Sequence, residues 1–184
     1  MELPALKLPT VELPFDIPIL LHPPIDHFVI AIPVLVLMME LVNLFMKKKA
    51  ISVISLVLLI FGMIATISAY FTGLVDGKEA FSALTQAGQG ELKEHKLLGT
   101  YLMLLSMVLV VSKIFFMTIS KRFVTILYPL ILILFVVGIL KQGKDGGELV
   151  YEYGANVERV ADLDSELFDA KEELDELKEE SEEK

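Results

Sequence analysis

The sequence predicts an all-α integral membrane protein, a four-helix bundle built from two helical hairpins. Hydrophobic residues make up 54% of the chain and the mean hydropathy is +0.63, values that are far from those of a soluble globular domain. Long apolar runs alternate with short charged breaks. A helix needs about 20 mainly apolar residues to cross a bilayer, and four segments meet that length: 27–46, 50–75, 96–117 and 123–141.

The N-terminal segment, residues 1–24, precedes the predicted transmembrane domain of residues 25–142. It contains six prolines, which forbid a continuous helix, and it lacks the positive start and unbroken apolar core of a cleavable signal peptide. Its apolar residues recur often enough to cover the mouth of a helix bundle. We therefore expect an extended, ordered arm, with a mobile terminus as the alternative.

Basic turns separate the two helices of each predicted hairpin. Lys47–Lys49 follow the first helix, and Lys121 and Arg122 follow the third. The positive-inside rule places such turns in the cytoplasm, so both termini are expected outside, in the periplasm of a bacterial inner membrane. In either orientation, the three histidines share one side of the membrane with the acidic tail.

The two predicted hairpins look like copies of each other. Asp26-His27 opens the first and Glu94-His95 opens the second, with an offset of 68 residues. A parallel repeat of this kind implies a pseudo-twofold axis along the membrane normal. His27 and His95 are then expected at equal depth on either side of that axis. Two unrelated hairpins that both begin with histidine fit the same residues.

Two segments follow the fourth predicted helix. Residues 143–157 are punctuated by glycine and predict a turn with a short strand-like segment at the surface. Residues 158–184 carry 13 acidic and four basic side chains, which account for the formal net charge of −9 of the whole chain. Apolar residues in this tail are spaced by 3, 4, 3, 4 and 3 positions, the a/d pattern of a coiled coil: Val160, Leu163, Leu167, Ala170, Leu174 and Leu177. An amphipathic helix on the outer face, a docking arm for another subunit and a homo-oligomeric coiled coil all fit this pattern.

Composition and motifs exclude several function classes. Cysteine is absent, which excludes disulfides, thiolate metal sites, iron–sulfur clusters and covalently attached c-type haem. The chain has no basic patch, so nucleic-acid binding is not expected. The hydrolase motifs GxSxG and HExxH and the P-loop are also absent. Glu40, Asn43 and Lys113 lie toward the inner ends of the helices, and nothing resembles the central ion pathway of a transporter.

Histidines at the start of the first and third predicted helices carry the clearest metal chemistry. Neutral imidazole is the commonest metal ligand, and His27 and His95, facing each other across a four-helix bundle, could hold a b-type haem from both axial sides. Haem needs small residues where the porphyrin lies against a helix, and outer-shell acceptors that orient the imidazoles. The candidates for porphyrin contact are Gly62, Ala69, Gly73 and Gly99, and those for the outer shell are Asp26, Asp76 and Glu94.

His22 has a weaker claim to this site. Pro23 and Pro24 are expected to break any helix between His22 and His27, which assigns His22 to the arm. A non-haem site for zinc, copper or iron, made by the three histidines with Asp76, is the nearest rival. Histidines that lie at the headgroup level without a cofactor are a further alternative.

The histidines are parts of a recognisable pattern. It consists of His22-Pro23, His27-Phe28 with Ala31, the Gly73–Asp76 end of the second helix, and His95 at the start of the third. The pattern resembles the bacterial four-helix membrane proteins grouped as domain of unknown function 2231, over residues 21–141. This family typically begins with HPxxVHFPIA, whereas here Asp26 stands in place of the valine and Val29 in place of the proline. The resemblance implies the fold and three matching histidines, and it implies no activity.

The sequence therefore predicts a membrane-bound b-type haem protein that transfers electrons at the outer face, as a subunit rather than a stand-alone enzyme. It would exchange electrons there with a quinol, a membrane complex or a soluble cytochrome, and the acidic tail suits a basic partner. The alternative from a different class is a cofactor-free structural or assembly subunit of a larger complex, in contact with membrane lipid. In that alternative the arm and the tail are the working parts.

Overall fold

The computed structural model describes residues 4, 6, 14–119 and 122–182. All regular structure in these residues is helical, in five helices: α1 (His22–Met46), α2 (Lys49–Ala80), α3 (Gln86–Met117), α4 (Arg122–Tyr151) and α5 (Glu158–Glu182). Predictions that concern residues 1–3, 5, 7–13, 120, 121, 183 and 184 lie outside the described residues. The predicted all-α fold is confirmed.

Four of the helices, α1 to α4, are long and apolar enough to cross a membrane. The helices α2 and α3 have 32 residues each, a length of about 48 Å, whereas the hydrocarbon core is about 30 Å thick. Their ends therefore extend beyond the hydrocarbon core. We call the end of the bundle that holds His22 and His95 the histidine end, and the opposite end, at Lys47–Lys49, the basic end.

The four transmembrane helices pack as an up-and-down ring. Both α1 and α3 contact α2 and α4, so α1 lies diagonally opposite α3 and α2 lies opposite α4. The centre of the ring is apolar, and Val36, Leu109, Leu132 and Phe135 are almost fully buried there. Large apolar side chains such as Leu134 are exposed on the outside, as a lipid-facing surface requires. The predicted four-helix bundle is therefore confirmed.

Burial repeats between the two hairpins with an offset of 73 residues. The buried residues Val29, Val36 and Leu59 of the first hairpin correspond to Leu102, Leu109 and Leu132 of the second. Buried polar positions follow the same register, since Glu40 corresponds to Lys113. The predicted offset of 68 residues, which pairs His27 with His95, is wrong because the core side chains set a register that pairs His22 with His95.

Two helices begin earlier than predicted at the histidine end. The helix α1 begins at His22, because Pro23 and Pro24 occupy its first turn, where backbone N–H groups have no helical partner. The prediction that these prolines break the helix is therefore wrong. The helix α3 begins at Gln86, where the Thr85 hydroxyl caps it by accepting a hydrogen bond from Gly88 N–H.

The helix α4 continues through the glycine-punctuated segment to Tyr151. The prediction of a strand-like surface segment is therefore wrong for residues 143–151. Ion pairs one turn apart, Lys141–Asp145 and Lys144–Glu148, support the helix there. The chain then turns at Gly154, whose φ is +69° and whose N–H donates to Val150 O at 3.1 Å, the left-handed conformation that commonly follows a helix.

The two terminal segments behave differently. The described part of the arm contacts the histidine end, where Leu20 N–H donates to Asp76 Oδ1 at 2.9 Å, and Pro4 O accepts a hydrogen bond of 2.9 Å from the Tyr101 hydroxyl of α3. In the part of the chain that the structure describes, the backbone of helix α5 does not come close to that of α1 to α4. Five of its heptad residues are exposed: Val160, Leu163, Leu167, Ala170 and Leu174. The structure therefore does not contain the first of the three predicted options, an α5 that packs on the bundle. The docking arm and the homo-oligomeric coiled coil stay predictions.

Candidate functional site

Two histidines from diagonally opposite helices meet at the histidine end. His22 is the first residue of α1, and His95 lies in α3, ten residues after Thr85 caps it. Their ring centroids are 6.4 Å apart and the rings are nearly perpendicular, at 86°. In the described residues the backbones of α1 and α3 do not come close to each other, so side chains, among them the two imidazoles, bridge the gap between these helices.

The His22 ring lies against Gly73 of α2. A Cβ at Gly73 would lie 3.0 Å from Cε1 of His22, so any larger residue there would require the ring to shift. Nδ1 is 3.2 Å from the Thr72 hydroxyl, whose own proton is donated to Ser68 O, so the hydroxyl oxygen can accept a hydrogen bond from Nδ1–H. Nε2 is 3.2 Å from Asp26 Oδ2. Both ring nitrogens of His22 thus lie within hydrogen-bond distance of side-chain oxygens.

The His95 ring packs in the same way against a glycine of α4, and we call Gly73 and Gly146 the glycine seats of the two rings. A Cβ at Gly146 would lie 3.1 Å from Cε1 of His95, and Gly146 follows Gly73 by the same 73 residues. The Gln142 amide nitrogen is 3.0 Å from Nε2 and also donates to His95 O at 3.0 Å. Nδ1 of His95 and Oε1 of Gln142 are buried and find no partner among the described residues. This ring nitrogen is therefore available for a hydrogen bond or for a ligand.

The structure does not bring the other predicted ligands into this pair. His27 is exposed, and its Nδ1 lies 2.8 Å from Pro23 O in the preceding turn. The Asp76 carboxylate accepts a hydrogen bond from Leu20 N–H of the arm, and its backbone oxygen accepts one from Asn156 Nδ2 at 3.1 Å. Asp76 therefore binds two surface segments and contacts neither histidine of the pair. Glu94 is exposed. Of the predicted outer-shell acceptors, Asp26 alone contacts a histidine of the pair.

The small residues predicted to face a porphyrin are in contact with side chains. A Cβ at Gly62 would meet Ile32 Cγ2 at 3.2 Å, and one at Gly99 would meet Gln142 Nε2 at 3.0 Å. Gly73 accommodates His22, as described above, and Ala69 is buried in the core. A porphyrin at these positions would have to displace the side chains, so a role of these residues in binding a cofactor stays a prediction.

Replacing either glycine seat is expected to destabilise the histidine end. Valine at Gly146 or Gly73 adds two methyl groups beyond a Cβ that already lies about 3 Å from an imidazole, and overpacking of this kind costs about 1–3 kcal/mol. Gly90→Val is the matched control, because nothing lies within 4 Å of a Cβ there and valine is the better helix former. Thermal unfolding midpoints in detergent check this, and equal midpoints for the three variants would contradict the glycine seats.

A second polar cluster lies at the basic end, and the sequence places its charged residues toward the inner ends of the helices without predicting that they pair. Glu40 of α1 and Lys113 of α3 have side chains that are only 8% and 5% exposed, and the Lys113 ammonium donates to Glu40 Oε1 at 2.6 Å. The Ser55 hydroxyl of α2 donates to the same oxygen, and Lys113 Nζ lies 5.0 Å from the centroid of the Tyr128 ring of α4. The signal in the sequence is that two lone charges of opposite sign each follow a histidine of the pair by 18 residues.

The fold and these sites first define a class: the chain is a multi-pass membrane protein with an all-α four-helix bundle, a histidine pair at one of its ends and a buried ion pair at the other. A family model described as a predicted membrane protein, DUF2231, matches residues 18–159. The chain belongs to this family, which confirms the resemblance that its histidine pattern indicates. No curated protein and no solved structure matches the chain.

Proposed function

We propose that the chain is a membrane-bound metalloprotein whose centre is held by His22 and His95 and serves electron transfer at one face of the membrane. The separation of the two imidazoles carries the proposal. A metal–nitrogen bond is about 2.1 Å, so two imidazoles that bind one metal ion would have their ring centroids no more than roughly 6.5 Å apart. The ring centroids of His22 and His95 are 6.4 Å apart.

The surroundings of the ring nitrogens support the proposal. A cation on Nε2 of His22 would be neutralised by the Asp26 carboxylate, 3.2 Å away. Nδ1 of His95 is the buried nitrogen that finds no partner among the described residues. The Thr72 hydroxyl, 3.2 Å from Nδ1 of His22, can accept from that nitrogen, as the outer-shell partners of metal-ligating histidines do. Ligation through Nδ1 of His95 would place a proton on Nε2, so the Gln142 amide would have to turn its unpartnered oxygen toward that nitrogen.

The metal in this proposal is the iron of a b-type haem or a single non-haem ion, since both accept two imidazoles. The packing favours a single ion, because side chains fill the space beside Gly73 and Gly99 that a porphyrin would use. In either form the bound group supplies a one-electron couple, and the chain holds it and limits its contact with solvent.

A centre at one end of the bundle would exchange electrons on one side of the membrane. The positive-inside rule puts Lys47–Lys49 in the cytoplasm, and hence the histidine end and both termini on the outer face of a bacterial inner membrane. The tail that contains α5 carries 13 acidic and four basic residues, which suits a basic soluble cytochrome or a basic face of a membrane complex.

The exposed helix α5 favours a second candidate function, a cofactor-free structural or assembly subunit. Its apolar residues Leu163, Leu167 and Leu174 are exposed, and the helix does not pack on the bundle. In this function another subunit would cover these residues, and the two imidazoles would only pack the end of the bundle.

The absorption spectrum and metal content of the full chain, purified in mild detergent, test the proposal. A Soret band that shifts on reduction with dithionite would identify haem, and one bound metal ion per chain without that band would identify a non-haem centre. A colourless protein that contains no metal and takes up none of haem, iron or copper would refute the metalloprotein and favour the structural subunit.

A further inference from the structure

A cavity lies beside the buried ion pair at the basic end. Its volume is about 120 Å³. Its lining includes Glu40, Asn43, Lys113, Phe116, Met117 and Tyr128. Ionisable residues inside a membrane protein are costly to place in the bilayer and are functional candidates by default. His22 and Glu40 are 18 residues apart on α1, about 27 Å, so this cavity is separate from the histidine pair and is independent of the proposed function.

The cavity is electrically balanced. Lys113 is the charged donor of the cavity wall, and Glu40 neutralises it at 2.6 Å. The Ser55 hydroxyl adds a second hydrogen bond to Glu40, and the Tyr128 ring lies under the Lys113 ammonium at 5.0 Å. An anion or a cation bound here would disturb a pair that is already satisfied. The charge distribution therefore favours a neutral ligand.

The Tyr128 hydroxyl offers such a ligand an unused hydrogen-bond donor. Tyr128 is 3% exposed, and its hydroxyl is buried and finds no partner among the described residues. Buried tyrosine hydroxyls usually find an acceptor, and Tyr128 lines the cavity. Asn43 already uses its side-chain oxygen to accept from Lys48 N–H at 2.8 Å, which leaves its amide nitrogen as a second donor. The ligand therefore needs an acceptor oxygen, such as a carbonyl.

The rest of the wall suits a flat apolar ring. The Phe116 ring meets the Tyr128 ring edge to face, with centroids 6.0 Å apart at 84°, and Met117 adds a thioether, a group that contacts aromatic rings favourably. Phe116 is half buried and Met117 is exposed, so the cavity can be reached from outside. Lys113 lies four residues before the end of α3, about 6 Å, which places the cavity near the boundary of headgroups and acyl chains.

We propose that this cavity binds the headgroup of a lipophilic quinone. A quinone is neutral and flat, it has ring carbonyl oxygens, and its tail keeps it in the membrane. One carbonyl accepts from the Tyr128 hydroxyl, the ring lies against Phe116, and the tail leaves toward the lipid. The ion pair of Glu40 and Lys113 keeps the polar wall neutral.

Titration of the purified full chain in detergent with a short-tailed ubiquinone analogue, followed by calorimetry, tests the proposal. We expect saturable binding of one analogue per chain, and an affinity about three- to tenfold lower in Tyr128→Phe, which removes one hydrogen bond to a neutral acceptor. Phe116→Ala should weaken binding as well. Tyr101→Phe is the control, because its hydroxyl bonds Pro4 O on a different part of α3, and it should bind like the wild type.

Three results would overturn the proposal. One is the absence of saturable binding by a wild-type chain that is monodisperse and helical by circular dichroism. Another is an equal affinity of the wild type and Tyr128→Phe. The third is displacement of the analogue by phosphatidylglycerol and not by phosphatidylcholine, which would assign the cavity to an anionic headgroup held by Lys113.

Discussion

Replacing Lys113 with methionine is expected to lower the free energy of unfolding by about 3–5 kcal/mol. The substitution removes the cation and leaves the Glu40 carboxylate buried, with only the Ser55 hydroxyl as a donor. An uncompensated buried charge is among the most destabilising changes that a single substitution makes. For a chain of this size the apparent unfolding midpoint should fall by about 10 °C, as measured by circular dichroism in detergent.

The double variant Glu40→Gln with Lys113→Met shows whether the loss comes from the unpaired charge. Glutamine keeps an oxygen that accepts from Ser55 and carries no charge, so the double variant should regain most of the midpoint. Lys144→Met is the matched control, because Lys144 pairs with Glu148 on the surface and is 68% exposed; its midpoint should equal that of the wild type. A double variant as unstable as Lys113→Met would show that the methionine packs badly and that the charge is not the cause.

The number and kind of helices follow from local sequence. A run of about 20 apolar residues is by itself enough to predict a membrane-spanning helix, and all four predicted spans are present. The positions of the helix ends at the histidine end do not follow in this way, because those segments are polar. The helix α4 continues past the predicted end at residue 141 to Tyr151, where ion pairs between side chains one turn apart support it. The glycine content of this segment predicts a turn, because it does not reveal those ion pairs.

The sequence predicts His27 as the partner of His95, whereas the structure places His22 beside His95. The difference arises because prolines have opposite effects at different helix positions. Inside a helix Pro23 and Pro24 would break it, but in the first turn they remove N–H groups that have no partner anyway. His22 therefore belongs to α1 and points into the ring of helices, while His27 lies one turn further on and is exposed. Local sequence does not distinguish the two, since His27 also begins an apolar run.

The register of the repeat explains why both polar pairs join α1 to α3. Residues 73 positions apart occupy equivalent places near the pseudo-twofold axis, so an exact repeat would bring identical side chains together. Two histidines tolerate this arrangement, because neutral imidazoles do not repel each other. Two buried lysines or two buried glutamates would repel strongly. The two hairpins differ at that position, with Glu40 in one and Lys113 in the other, and the difference makes a buried ion pair.

Replacing either His22 or His95 with alanine is expected to abolish metal binding, whereas His27→Ala should leave it unchanged. The two imidazoles of the pair are the proposed ligands, with ring centroids 6.4 Å apart, while the His27 ring is exposed and bonds Pro23 O in its own helix. Loss of a ligand should weaken binding by more than the roughly 10- to 100-fold that loss of an outer-shell partner costs. Metal content per chain and, for haem, the reduced-minus-oxidised spectrum measure the effect after reconstitution of each purified variant.

The three variants distinguish the His22–His95 pair from a His27–His95 pair, because the two pairs predict opposite effects of His22→Ala and His27→Ala on metal binding. If His27 and His95 were the ligands, His27→Ala would lose the metal and His22→Ala would keep it, and that outcome would refute the pair described here. Thr72→Val provides the intermediate case: it removes the hydroxyl that lies 3.2 Å from Nδ1 of His22 and keeps the size of the side chain. Its affinity should fall by about 10- to 100-fold without complete loss, because the ring nitrogens remain and only the orientation of the His22 imidazole is released.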